Sequence, residues 1–317
     1  MDDNIIPADL SKITTYSIKE RKNKVKVSEF ASPIGNINSI NDFLFSLPRI
    51  LAGNDFLGLV DSICKAYNNS KPFIVMIGGH VIKCGLGPIL ISLIEKKILT
   101  GIAMNGSASI HDFEIALIGE TSEDVGTNLV TGKFGMWEET GSLMNQAIKE
   151  GYNRGKGIGK VLGHKLKELK APYSEYSVLF NAFNMDIPAT VHVAIGTDII
   201  HQHPEASGAA IGETSFMDFR TFITEVSELG NGGVLLNIGS AVVMPEVFLK
   251  ALSIARNMGN DVVEFTTANM DMFQHYRPRE NVLKRPTNTG GNGYAITGHH
   301  EIMVPLLANA VVEKLCI

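Results

Sequence analysis

Five short apolar runs, each closed by Gly, Asn or Asp and followed by a stretch of helical spacing, constrain this chain more than any other feature. They are Phe73–Ile77 before Gly78-Gly79, Gly101–Met104 before Asn105-Gly106, Ala189–Ile195 before Gly196-Thr197-Asp198, Val234–Ile238 before Gly239-Ser240, and Val262–Thr267 before Asn269. Such runs, rich in Val and Ile and bounded by breakers, read as strands buried on both faces. Helical spacing fills the intervals: Ser46–Asn68, Gly87–Lys97, Asp112–Gly119, Ser142–Tyr152, Tyr176–Met185, Met217–Leu229, Glu246–Met258 and Glu301–Leu315. Strands alternating with helices predict an α/β fold, a Rossmann-like parallel sheet with helices on both faces.

Composition narrows the class. Hydrophobic residues make up 44% of the 317 and charged residues 19%, which excludes a disordered, collagenous or coiled-coil chain. The net charge of −5 argues against nucleic acid as partner. Cys64, Cys84 and Cys316 form no CxxC, which excludes a disulfide framework and a cysteine-type zinc site and fits a reducing cytoplasm. The acidic N-terminus lacks the charge of a signal peptide, and FIVMIG and IMVPLLANAVV are too short to span a bilayer, so no membrane partner is expected. Residues 1–45, with a basic run from Lys19 to Lys26 that reads as a solvated face, form an expected N-terminal arm. Residues 46–317 form a single domain, in which Gly151–Gly159 (GYNRGKGIG) reads as a flexible loop between halves of the sheet.

In an open parallel sheet, ligands bind beyond the carboxyl ends of the strands. The residues there are small and polar: Gly78, Gly79, His80; Asn105, Gly106, Ser107; Thr197, Asp198; Gly239, Ser240; Asn269 and Asp271. They let a ligand approach the backbone, and helix starts behind them suit phosphate. There is no Walker A motif and no GxGxxG between strand and helix, and GKGIGKVLG reads as a loop entering a basic helix. HQHPE would bring His201, His203 and Glu205 to one side if extended, as a metal site or an acid/base pair. ASGAAIGE (Ala206–Glu213) reads as a loop against a ligand or subunit, and FGMWEETG as a helix start with Glu138 and Glu139 near the positive dipole end, or as a substrate loop. Arg277 and Arg279 beside His275 are either solvated or an anion site.

At these strand ends the sequence resembles deoxyhypusine synthase and its bacterial relatives, from about Phe73 to Leu307 with a rearrangement between Glu120 and Lys170. The stretches that carry the resemblance are GGHVIKCG, AMNGS followed by His111-Asp112-Phe113-Glu114, SVLFNAFNMDIPATVHVAIGTD, NIGSAVVMPE, TTAN and GHHEIMVPLL. NGSASIHDFEIAL also looks like the NAD-binding half of archaeal-type ornithine cyclodeaminases. The resemblance implies a deoxyhypusine synthase-like fold, a homotetramer, transferase or oxidoreductase chemistry, and an NAD site. That site would be built from Gly78, Gly79, His80, Asn105, Gly106, Ser107, Asp112, Thr197, Asp198, Gly239, Ser240, Thr267 and Asn269. Asp112 and Asp198 would anchor ribose or nicotinamide.

Lys284 lies nearest to the family's imine-forming lysine, and His275, His299 and His300 are candidate bases. Pro245-Glu246 replaces the family's paired histidines, and MFQHYRPRE replaces its acidic cluster. Arginines there repel a polycation, so the expected substrate is a small amine or amino acid rather than spermidine. His201, His203, Glu205, Glu246, Arg277 and Glu280 are the expected substrate contacts. The expected activity is transient hydride transfer with NAD as cofactor. The alternatives are a metal-dependent hydrolase using His201, His203 and Glu205, and a non-catalytic NAD-binding protein.

Overall fold

The computed structural model describes residues 5–33 and 35–317. Six parallel strands form its centre: β1 (Phe73–Ile77), β2 (Gly101–Asn105), β3 (Ala189–His192), β4 (Val234–Ile238), β5 (Thr266–Asp271) and β6 (Asn292–Thr297). Their order is β3-β2-β1-β4-β5-β6, with Ile77 in register with Met104 on one side and Ile238 on the other. Helical crossovers bring every carboxyl end to one edge, and the winding reverses between β1 and β4.

Helices α1 (Ile40–Ser46) and α2 (Leu51–Asn68) precede the sheet, and α3 (Gly79–Lys83) and α4 (Gly87–Glu95) join β1 to β2. The β2–β3 connection is long: α5 (Gly106–Ile118), α6 (Val125–Val130), α7 (Glu138–Arg154), α8 (Ile158–Leu169) and α9 (Val178–Asn184). Helix α10 (Gly208–Ser227) leads into β4 and α11 (Val243–Asn257) into β5. After β5 come the short α12 (Tyr276–Pro278) and a π-helical turn, Arg279–Lys284; after β6 comes α13 (His300–Leu315).

Alternation along the strands builds two cores. Phe73, Val75 and Ile77 of β1 face one, shared with Leu59, Leu90 and Val304 of α2, α4 and α13. Ile74 and Met76 face the other, shared with Phe222 of α10 and Phe248 of α11. The expected doubly covered parallel sheet is therefore the observed one.

The differences have physical causes. The fifth strand starts at Thr266, not Val262, because Glu264 takes a left-handed φ of +50° and residues 263 and 264 instead accept from Asn231 and Gly232. Strand β6 has no apolar run to announce it, since Ile296 alone is buried in its span. The single helix expected over Ser46–Asn68 is broken after Leu47-Pro48, with Leu51 at φ +48°. Ala206–Glu213 is not a loop: the Ser207 hydroxyl accepts from Ala210 N–H and caps α10, and both glycines lie within that helix. The Gly151–Gly159 segment does not link halves of the sheet. It turns α7 into α8 and is anchored, since Asp218 accepts from Gly159 N–H at 2.9 Å and leaves no room for a Cβ at Gly157.

Candidate functional site

At the reversal, the turns after β1 and β4 meet back to back. A Cβ on Gly78 would stand 2.2 Å from the Gly239 carbonyl oxygen, so only glycine allows this approach. Gly239 takes φ +63°, and a Cβ there would meet the His300 ring at 2.8 Å. Helices α3 and α13 start at this point without a capping side chain, and in α11 the Ser240 hydroxyl takes one N–H, that of Met244. Their free backbone N–H groups and positive dipole ends face the crevice. His300 is 5% exposed; its Nε2–H donates to the Met270 carbonyl at 3.2 Å, which leaves Nδ1 as the lone-pair nitrogen. Burial holds this imidazole below the ordinary histidine range, against the opposing pull of Asp271. The His80 ring lies 5.6 Å away, and His80 Nε2 is 3.2 Å from Cys84 Sγ.

Beyond β2 and β3 the crevice continues into a cavity of about 800 Å³. Its walls come from α5, the segment Glu120–Val125, the start of α7 and the turn after β3. Ser107 sits at its mouth: a Cβ on Gly79 would meet Ser107 Oγ at 2.4 Å and His111 Cδ2 at 3.1 Å. Ile110, Leu143, Phe134 and Trp137 supply apolar wall, while Asp198, Glu120 and Glu139 against Lys83 make it acidic. Asp198 packs against Gly106 at the start of α5. Its Oδ2 is buried without a hydrogen-bond partner, 3.9 Å from an equally unpartnered His201 Nε2. Burial pushes the Asp198 carboxyl up to about 6.

Of the residues expected to hold NAD, the structure gathers Gly78, Gly79, Gly239 and Ser240 at the reversal, with His80 beside them, and Asn105, Gly106, Ser107, Thr197 and Asp198 around the cavity mouth. Three others are occupied elsewhere. Asp112 accepts from Ser177 Oγ at 2.6 Å, Val178 N–H at 2.7 Å and Leu179 N–H at 3.0 Å, fixing the start of α9. Thr267 donates to the Val282 carbonyl at 2.7 Å inside the sheet. Asn269 joins a ribbon of amides, accepting from Asn237 at 2.7 Å and donating to Gln274 at 2.8 Å, which ties β4, β5 and β6 together.

The HQHPE segment is not extended. Ile199–Gln202 is a 3₁₀ turn, His201 Nδ1 accepts from Gly196 N–H at 3.2 Å, His203 packs on Gly141, and Glu205 pairs with Lys149 at 3.6 Å. Among the described residues no three His, Cys, Asp or Glu side chains stand close enough to share a metal ion. Glu246 accepts from Asn281 at 2.9 Å and pairs with Arg277 at 3.2 Å, and Glu280 pairs with Lys284 at 2.7 Å. These pairs partly neutralise the arginine and lysine on which anion or imine chemistry would draw. Lys284 does not line the cavity, and His275 and His299 are exposed. The residues that sequence reasoning missed are Lys83, His111 as a cavity side chain, Thr121 and Thr140. Starting α5 at Gly106 would have revealed Ser107 and His111 on one face, four residues apart.

No family model and no curated protein matches this chain. Solved structures do. A candidate deoxyhypusine synthase from Entamoeba histolytica superposes with a TM-score of 0.51 at 11% identity, over 95% of this chain and 97% of that one. AgrE, in a ternary complex with ornithine and NAD+, superposes with a TM-score of 0.54 at 11% identity. It is matched over 85% of this chain, which spans about a third, 34%, of AgrE. The fold is deoxyhypusine synthase-like. Within that fold the long β2–β3 connection, where the sequence resemblance is interrupted, supplies much of the cavity wall. Among the described residues no helix is long and apolar enough to cross a membrane.

Proposed function

We propose that this chain is an NAD-dependent enzyme that oxidises a C–N or C–O bond of a small amine or amino acid by transient hydride transfer. The observation that carries the reading is the sheet reversal, where the Gly78–Gly79 and Gly239–Ser240 turns touch and Gly79 lies against Ser107 and His111 of the acidic cavity. The residues present fit a dinucleotide. The starts of α11 and α13 and the two glycine turns would hold its pyrophosphate, and the unpartnered Asp198 Oδ2 would accept from a ribose hydroxyl. When bound, NAD+ supplies a hydride acceptor.

The chain's own groups do the rest. His300 gives the crevice a neutral imidazole whose orientation is fixed by Met270. The cavity's apolar wall offers a surface to a substrate's carbon chain, and its carboxylates favour a cationic substrate group. AgrE, of the same fold, is seen with ornithine and NAD+, which supports a small amino acid as the class of substrate to offer. A homo-oligomer, with a tetramer as the expected size, belongs to the same proposal.

Calorimetric titration with NAD+ tests the reading, followed by amines and amino acids screened at the NADH absorbance. Micromolar binding and NADH formation are expected. Tight binding with no reduction on any substrate offered would favour a non-catalytic NAD-binding protein, and no binding would sink both.

A further inference from the structure

The hydrogen bonds around His111, the one histidine lining the cavity among the described residues, fix which of its nitrogens can take a proton. The Glu114 carboxylate accepts from Thr140 Oγ1–H at 3.0 Å and from Thr121 Oγ1–H at 2.5 Å. Thr121 has one hydroxyl proton and gives it to Glu114, so towards His111 Nδ1, 2.7 Å away, its oxygen accepts. Nδ1 therefore carries the ring proton, and Nε2 carries the lone pair. We propose that His111 is the general base of the cavity, with Thr121 and Glu114 as positioning residues.

The proposal rests on the oxidation argued above and assigns its proton. With NAD+ bound as hydride acceptor, the substrate's C–H hydrogen would leave with the bonding pair while the neighbouring N–H or O–H bond breaks. Its pair becomes the second bond to carbon, and its proton passes to His111 Nε2. The ring is placed for this where the reversal and the cavity meet, beside Gly79 and Ser107. A side chain on Gly79 would strike Ser107 Oγ and crowd the ring.

Charged groups face the cavity from every wall: Lys83 from α3, Glu120 and Glu123 from the segment after α5, Glu139 from α7 and Asp198 from the turn after β3. Burial, with Lys83 adding to it, pushes His111 down to about 4, so the ring is neutral at neutral pH. His300 packs on the Gly239 turn and does not line this cavity.

Nitrogen-15 histidine spectra of the full chain test the assignment without any substrate. A neutral ring with unprotonated Nε2 is expected, identified by its absence in His111→Gln and untitrated above about pH 5. Thr121→Val should remove the tautomer preference, and Thr121→Ser should restore it. A ring protonated at Nε2, or one titrating in the ordinary histidine range, overturns the proposal. On a substrate that yields NADH, His111→Gln should lower kcat by about 10²–10⁴-fold with NAD binding retained. The acid limb of the wild-type pH profile should fall as pH drops towards about 4. Unchanged kcat in His111→Gln overturns the role even with the right tautomer. A wild type that binds no NAD overturns role and function together, whereas an intact NAD site with the wrong tautomer overturns the role alone.

Discussion

Asp112 is 1% exposed in the middle of α5, and its two oxygens take three donors from the start of α9. Burial still outweighs those donors and pushes the carboxyl up to about 6. Replacing it with Ala leaves a hydroxyl and two backbone N–H groups buried without an acceptor, at a cost of roughly 1–3 kcal/mol for such a group. Asp112→Ala should therefore lower the midpoint of thermal unfolding while calorimetry finds NAD affinity unchanged. A loss of affinity in a variant that stays folded would return Asp112 to the cofactor site. Asp112 stands among the expected cofactor contacts through the resemblance, which carries nothing of the three donors that the start of α9 brings to it. The meaning of His111 depends on Thr121 and Glu114 folding back onto it, a tertiary fact that no spacing carries.

Among the elements, buried strands were the legible ones. Phe73–Ile77 is apolar throughout and Val234–Ile238 is apolar but for Asn237, because central parallel strands face a core on both sides. Strand β5 carries Thr266, Thr267 and Asn269 in that environment, each satisfied by a partner the sequence does not show, and so its start was misplaced. Helix α10 stores a second kind of hidden chemistry. Glu225 lies against Gly101 with Oε2 unpartnered, and burial, with Asp218 near it, raises its pKa well above the ordinary value. Asp218 is itself pushed up to about 7. The folded state thus holds these protons after the unfolded chain has released them, so their contribution to stability is lost as pH rises above the unfolded values. Glu225→Gln removes one such group. Its unfolding midpoint should gain on the wild type as pH goes from 5 to 8, by at least about 2 °C at the upper end. A constant offset across that range would show that Glu225 is charged in the fold.

At the scale of the whole molecule, strand order was the property the sequence could not supply, since nothing in a run of Val and Ile says which neighbour it will pair with. The reversal between β1 and β4, and with it the place of the crevice, comes from the fold alone. The expected N-terminal arm has no purpose written in its sequence. Ile5, Ile6 and Tyr16 are 85%, 90% and 82% exposed, and residues 5–26 contain no buried side chain. Leaving such side chains in water forgoes roughly 1.5–3 kcal/mol each, and a run of them marks a surface that another protein covers. Under the homo-oligomer proposed above, a second copy of this chain is the expected occupant. Residues 5–26 are tied to the rest of the described chain by no hydrogen bond beyond Lys26, which bonds to neighbouring Glu29, so removing Met1–Lys26 should leave the sheet folded. Sedimentation should then find the intact protein larger than one chain and the shortened one dissociated to a smaller species, with its far-ultraviolet spectrum retained. An intact protein that sediments as a single chain at micromolar concentration would leave the apolar arm without a copy to cover it, and the assembly proposed for this enzyme would fall.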